Sequence, residues 1–412
     1  MGVQRLCDRS DYQCGAGDIF TPVHGRGEQS GIKCGSGGTG STLMKTAGIV
    51  LAIGLICTPG ALHAKKGKSY PTWKIGGQVV LDKAWFLYDK KSQTDQEIRR
   101  ARLFLKGALF KKLSYEMEYS FTGGGVWKDL YLRYHFTDLS SITVGNIKEP
   151  FGLEALTSSK YNTFMERALP DIFISDRKVG VLGTYGVYGK KSYLWRIAGG
   201  LFTAPVEELR SDNKAYTVAA KTTFAKILGK KHLLHTGVSA AYTHLDDTRV
   251  KFSTRAGAHL SKTKYLNTKV KHTDDIQRYG VEAYYQYKAF SAQGEYIYTG
   301  VTSVKHDYGF FGWYFQTGYF LTHDAKRYKI KDGATGRLEP KHPLNRGGTG
   351  AVEIAARISE LDMSDKPDEG KLTTYTAGVN WYMTSRLRMM LNIVKIEGRE
   401  PKTVEMRIQY DF

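Results

Sequence analysis

The segment Glu97–Gly107, EIRRARLFLKG, sets Arg100, Arg102 and Lys106 on one side of an alternation whose other side holds Ala101, Leu103 and Leu105. In an extended chain every second residue shares a face, about 7 Å from the next, so the three cations form a column. Arginine's planar donors match phosphate or carboxylate oxygens in pairs, and the group stays charged. The chemistry on offer is oxyanion capture rather than bond making. Arg99 has the opposite parity and joins the column only if a bulge adds a residue to the strand. A second group lies in KEPFGLEALTSSKYNTFMERALP, where Ser158, Ser159 and Lys160 offer two hydroxyls and a mobile ammonium. If Tyr161–Leu169 is helical, Arg167 returns to a similar face about two turns on. Asp129, Arg133, Arg357 and Arg407 occupy polar positions of other alternating runs.

The whole chain is basic, with a formal charge of +20. Nucleic acid, anionic lipid and small anionic solutes are therefore the partner classes to weigh. Catalysis is not indicated. His232, His235, His244 and His272 are available as bases, but no serine motif supplies the adjacent nucleophile that hydrolysis needs. Met44–Ala64 has the basic start, short apolar run and small-residue end of a secretory signal, with cleavage expected after Ala64. Ile56 before Cys57 argues against a lipoprotein signal. Met1–Leu43 is glycine-rich and unpatterned, so residues 1–43 are expected to be an upstream extension foreign to the native protein, with translation starting at Met44. All four cysteines precede residue 65, so a mature chain of residues 65–412 has no thiol chemistry, no cysteine–zinc site and no implied cofactor.

Alternation elsewhere shows what positions these groups. Val404, Met406, Ile408, Tyr410 and Phe412 alternate with Glu405, Arg407, Gln409 and Asp411, and Leu130, Leu132, Tyr134 and Phe136 with Asp129, Tyr131, Arg133 and His135. Glycine (45 residues) and tyrosine (27) add turns and aromatic strand faces. About 16 such segments, each of roughly ten residues, have the length that a tilted strand needs to cross a bilayer. Tight turns (Phe110–Leu113, Thr137–Ser140, Gly189–Ser192, Gly229–His232, Met383–Arg386) alternate with longer links (Asp89–Glu97, Lys148–Lys178, Phe202–Lys214, Asp246–Asp275). Short turns at one end and long loops at the other predict an all-β fold: a transmembrane antiparallel β-barrel of 16 strands, closed because a bilayer tolerates no open sheet edge. Residues 148–178 break the alternation and are expected to turn inward at Pro150 and Gly152. His323–Gly348 is long yet falls at the short-turn end, so it is expected to fold into or across the lumen.

At this point the residues resemble a known family. GNIKEPFGLEALTSSKYNTFMERALP (Gly145–Pro170) resembles the constriction-loop signature of the phosphate-selective porins, the outer-membrane porins O and P. GYFLTHDAKRYK (Gly318–Lys329) and AARISELD (Ala355–Asp362) are similar to two further family blocks. The resemblance implies a trimeric outer-membrane porin whose third extracellular loop narrows the lumen, with passive diffusion of phosphate or related anions along a ladder of inward arginines. Carried over residue by residue, it implies anion binding by Arg99, Arg100, Arg102, Lys106, Asp129, Arg133, Ser158, Ser159, Lys160 and Arg167. Arg99 enters because the family carries a paired arginine. Asp129 matches an acidic residue that would orient a lysine and ease anion exit. Further implied partners are outer-membrane lipid and lipopolysaccharide, and the barrel-assembly machinery acting on the terminal aromatic Phe412; nucleic acid is not among them.

Plainer assignments stand beside these. Inward arginines line general porins simply to keep the lumen wet. Ser158 and Ser159 are equally suited to capping a helix over Tyr161–Leu169. Glu154 and Glu166 are suited to bracing the loop against basic wall residues, and the lysines of Val250–Lys271 and Lys326–Lys341 to solvation at the surface. A general, weakly anion-selective porin is the alternative within this class.

Overall fold

The computed structural model describes residues 69–412 apart from 190–192, 210–213, 229–231 and 368. The expected extension (1–43) and signal (44–64) lie outside the described residues, as do most of the expected turns at 189–192 and 229–232. The first strands are β1 (Thr72–Leu87), β2 (Ser92–Phe110), β3 (Leu113–Ser120), β4 (Val126–His135), β5 (Ser141–Lys148) and β6 (Arg177–Gly189). They are followed by β7 (Tyr193–Phe202), β8 (Tyr216–Leu228), β9 (His232–Thr254), β10 (Leu266–Tyr287), β11 (Phe290–Ser303) and β12 (Tyr308–Phe320). The last are β13 (Arg327–Lys329), β14 (Ala334–Gly336), β15 (Ala351–Asp362), β16 (Lys371–Tyr382), β17 (Leu387–Ile396) and β18 (Lys402–Asp411). Sixteen of them form one closed antiparallel barrel; β13 and β14 pair only with each other.

The barrel is inside-out relative to a soluble protein. On β18 the polar residues Glu405, Arg407, Gln409 and Asp411 are buried, whereas Ile408 and Tyr410 are exposed. Backbone pairing runs around the ring and ends where β18 meets β1, with Gln78 opposite Asp411 and Leu87 opposite Lys402. That seam needs glycine. A Cβ on Gly76 would lie 2.5 Å from the Phe412 carbonyl oxygen, and one on Gly77 would lie 2.4 Å from the Phe412 ring. Gly77 and Phe412 exchange backbone hydrogen bonds of 3.1 and 3.2 Å.

Two expected links are shorter than the alternation implied. β2 already starts at Ser92, and most of Asp246–Asp275 is strand. β9 and β10 run past the rim as a paired hairpin because Val250, Phe252, Leu266 and Val270 bury in an apolar cluster with Phe151, Phe173 and Phe310. Beyond the hairpin, Ala258 packs on Ala84 and Phe86 of β1, and His259 shares a 2.5 Å hydrogen bond with Glu97 of β2.

The segment 323–348 enters the lumen as expected. β12 and β15 pair directly, Phe320 opposite Glu353, so the strand count stands without it. From there Lys326 reaches Thr163 of the β5–β6 loop at 2.5 Å, and Tyr328 meets His235 of β9. Lys331 lies 3.0 Å from Asp138, in the β4–β5 turn on the far side of the ring.

Candidate functional site

The loop between β5 and β6, residues 149–176, lies against the inner wall. Pro150 has no N–H to continue the ladder, and Gly152 adopts φ +67°, a region that side chains disfavour. A Cβ there would also stand 3.0 Å from Glu295 Oε2. Glu295, on β11, accepts the Leu153 and Glu154 N–H groups at 2.7 Å each, satisfying first-turn donors of the one-turn helix α1 (Leu153–Leu156).

The expected helix over Tyr161–Leu169 is absent. Residues 159–161 form a turn, residues 162–168 are irregular, and a 3-10 turn follows at Leu169–Phe173. The reason is competition for carbonyls. Arg388 donates to the carbonyls of Asn162 (2.7 Å) and Thr163 (3.1 Å), Asn380 to Thr163 (2.9 Å), Arg407 to Met165 and Arg357 to Glu166 (3.0 Å). Wall side chains thus take acceptors that a helix would use internally. Ser158 and Ser159 therefore cap no helix there, and Arg167 is not stacked over Lys160 by helical periodicity.

Carboxylates on the loop hold the rest of it. Glu166 receives Arg99 through two bonds (3.1 and 3.0 Å) and Arg407 at 2.8 Å; Arg407 also grips Asp82 at 2.7 and 2.6 Å. Burial opposes ionisation of Glu166, yet the two guanidiniums hold its carboxyl well below the ordinary carboxylate range. Glu154 accepts the Ala168 N–H at 2.8 Å and lies 3.5 Å from Arg357. Glu149 pairs with Lys178 (2.8 Å) and Arg278 (2.7 Å). Arg99 reaches the loop because the register jumps between Val80 opposite Arg100 and Leu81 opposite Ile98. This bulge lets two consecutive arginines face inward.

The predicted site residues thus divide into groups. Arg99, Arg357 and Arg407 anchor the loop. Arg100 is buried, with its Nη1 lacking a hydrogen-bond partner among the described residues. Asp129 receives two bonds from Arg177 (3.2 and 2.8 Å), so its partner is an arginine and not the expected lysine; Lys128 pairs with Asp176 instead. Arg167 bonds the Ala155 carbonyl at 3.2 Å and lies 3.4 Å from Asp171. Arg102 pairs with Glu118 at 3.1 Å. Arg133 donates to Thr143 at 2.9 Å and sits over the Tyr131 ring at 4.8 Å.

Lys106 and Lys160 come together. Each ammonium stands 4.7 Å from the centre of the same ring, Phe104, which projects from β2 between Arg102 and Lys106. Lys106 is 44% exposed and 3.6 Å from Glu116, while Lys160 makes no ion pair among the described residues. Ser158 and Ser159 are half-buried in the same turn. Burial pushes the Lys160 ammonium below its ordinary value, with Asp411 opposing. A ring attracts a cation without cancelling its charge. Both ammoniums are thus held at one ring, Lys160 without an ion pair among the described residues and Lys106 beside Glu116. The sequence signal for Phe104 was an aromatic at a cationic-face position; Arg177 and Arg388 gave no signal beyond parity.

Comparison with known families turns this geometry into an assignment. The profile described as phosphate-selective porin O and P matches residues 74–412. The chain belongs to that family. This porin is 24% identical over 388 residues to Porin O of Pseudomonas aeruginosa, covering 83% of this chain and 86% of that protein. It is 29% identical over 343 residues to an uncharacterized protein of Caulobacter vibrioides, covering 79% and 67%. In fold it is similar to the anion-selective porin of Comamonas acidovorans, with a TM-score of 0.50, 13% identity and coverage of 83% and 99%. The protein is thus a channel-type β-barrel of the bacterial outer membrane.

Proposed function

We propose that this porin provides passive, anion-selective diffusion with inorganic phosphate as its favoured solute. The carrying observation is the Lys106–Lys160 pair seated on Phe104 at the inner loop, where Lys160 makes no ion pair among the described residues and Lys106 has only a 3.6 Å approach to Glu116, while Arg99 and Arg407 are bonded to carboxylates. Narrowing the path forces an anion to shed water, and cations with hydroxyl donors replace it. Arg102, Arg133 and Arg167 extend the positive lining; Ser158 and Ser159 are the proposed donors beside Lys160. Arg99 and Arg100 act behind the loop, Arg99 through Glu166, and Asp129 holds Arg177 so that the wall keeps its shape. The family description, phosphate-selective porin O and P, supports phosphate as the solute. The working unit is proposed to be a homotrimer of mature chains, residues 65–412, exported by the signal at 44–64 and delivered to the assembly machinery through Phe412.

The test is conductance in planar bilayers. Reversal potentials in a chloride gradient are expected to show anion preference, and low phosphate is expected to block chloride current. Lys160→Gln should weaken that block about ten- to hundredfold, the worth of one charge-assisted hydrogen bond, and leave chloride conductance nearly unchanged. Equal loss of both currents would make Lys160 structural. No phosphate block in the native protein would leave the general-porin reading.

A further inference from the structure

The two ends of the barrel differ in charge. At the long-loop end the exposed acids Asp89, Asp307, Asp365, Glu397 and Glu400 make no ion pair among the described residues. The short-turn end faces the periplasm in barrels of this kind, and there the exposed acids Asp138, Asp332 and Glu339 are already paired. Lys331 stands 3.0 Å from Asp138, Lys329 3.5 Å from Asp332 and Arg327 3.1 Å from Glu339. Six further cations at that end are exposed and make no ion pair among the described residues: Lys111, Lys112, Lys288, Lys341, Arg346 and Arg386. Lys111 and Lys112 turn β2 into β3, Lys288 turns β10 into β11 and Arg386 turns β16 into β17, while Lys341 and Arg346 belong to the link from β12 to β15. In ring order they run over β10, β11, β12, β15, β16, β17, β18, β1, β2 and β3, ten of the sixteen barrel strands. The sequence repeats Lys-Lys at 190–191 and 230–231, outside the described residues.

Spacing decides what such a face can bind. Neighbouring short turns are two strands apart, about 12 Å around a ring whose strands tilt by about 40°. One phosphate cannot bridge that distance, so these cations do not converge on a small anion or a single headgroup. Neighbours do lie about one Debye length apart, about 10 Å at 0.1 M salt, and sum to a common positive field. A ring of this strand number is about 32 Å across, so the face around the exit measures about 800 Å². That is about the area one partner brings to a standard protein–protein interface.

We propose that the short-turn face, through Lys111, Lys112, Lys288, Lys341, Arg346 and Arg386, is a docking surface for an acidic soluble protein of the periplasm, seated over the exit of the pore. The partner's carboxylates supply counter-charges that this end of the chain does not provide. Because the exit lies inside the ring of cations, the docked partner meets each solute as it leaves. The proposal rests on which end carries the short turns and not on the phosphate reading at Lys160.

Poly-L-glutamate serves as the acidic probe. The folded full-length protein in detergent is titrated with it, and heat-dependent gel mobility confirms that each variant is a folded barrel. Lys111→Gln/Lys112→Gln/Lys288→Gln/Arg386→Gln should bind about tenfold to a hundredfold more weakly than the native protein, the summed effect of four exposed charges. Lys111→Arg/Lys112→Arg/Lys288→Arg/Arg386→Lys keeps every charge and should bind as the native protein does. So should Lys262→Gln/Lys264→Gln/Lys395→Gln/Lys402→Gln, which removes four exposed lysines at the long-loop end. On single channels in a planar bilayer the probe should lower the current from one compartment only, and the short-turn glutamine variant should lose that effect. The proposal is overturned if the short-turn glutamine variant binds like the native protein or if the long-loop variant weakens as much. It is overturned equally if millimolar inorganic phosphate, at constant ionic strength, displaces the probe, which would make the face a small-anion site. Isolated peptidoglycan sacculi that hold the native protein and not the short-turn glutamine variant, with no binding of poly-L-glutamate, would assign the face to the cell wall and overturn it too. Phosphate block of chloride current is measured separately, so either reading can fail alone.

Discussion

At the residue scale, arginine and lysine do two jobs that look identical in a sequence. Arg99 and Arg407 converge on Glu166 and so are spent on the loop, whereas Lys160 rests on the Phe104 ring and makes no ion pair among the described residues, which is why it is the proposed anion contact. Magnitudes separate the two. A buried pair that loses one partner costs about 3–5 kcal/mol, while a ring–cation contact contributes about 0.5–2 kcal/mol. Glu166→Gln should therefore release the loop, lowering the heat-shift temperature of the barrel and raising its conductance. The same anchor sets a pH response. The folded Glu166 carboxyl sits well below its ordinary 4.5, so its stabilisation is complete above the ordinary range and disappears only as pH falls through the lowered value. Conductance is expected to stay level as pH drops through 4.5 and to step up only in stronger acid. A step at ordinary carboxylate pH would mean that Glu166 is not the anchor.

At the scale of elements, small irregularities decide what the strands present. The bulge at Arg99 adds one residue and turns two consecutive arginines to the same side, at no loss to the pairing on either flank. The insert carrying β13 and β14 reaches the inner loop at Thr163 and Tyr161, where Lys329 and Arg337 stand 5.9 and 5.8 Å from the ring. Because β12 and β15 pair with each other regardless, replacing residues 327–336 by a short flexible link should leave the barrel closed. Single-channel conductance should then rise severalfold and anion preference fall. Unchanged conductance would show that the insert stands outside the current path.

At the scale of the whole molecule, closure is the dominant event, since it leaves no sheet edge for lipid to face. The seam depends on Phe412: its backbone pairs with Gly77, and its ring and carbonyl fill the spaces that Gly76 and Gly77 leave empty. Removing Phe412 should leave synthesis intact and sharply reduce the heat-modifiable folded form in the outer membrane. Gly77→Val should do the same by occupying the ring's place. Normal folded yield from both variants would mean that the seam closes without its terminal aromatic.

Much of this protein was legible in the sequence because a strand's faces follow parity. The run from Lys402 to Phe412 announces one polar and one apolar face, and its repetition announced a barrel of 16 strands. Pro150 and Gly152 marked where the chain leaves the wall, and Glu154 and Glu166 were readable as braces. Parity says which side a residue takes but not what will be packed there. Arg102, Arg357 and Arg407 have the same alternation in the sequence, yet one faces Glu118 on the neighbouring strand and two are covered by a loop from over 180 residues away. The loss of the Tyr161–Leu169 helix has the same origin, since local propensity could not anticipate wall arginines taking its carbonyls. By itself the sequence determined the barrel and the face that most strand side chains take, with Arg99 at the bulge an exception. Which cations are paired with carboxylates and which are left on an aromatic ring was decided only by tertiary structure, because counter-ions and aromatic seats come from residues that only closure of the ring brings into contact.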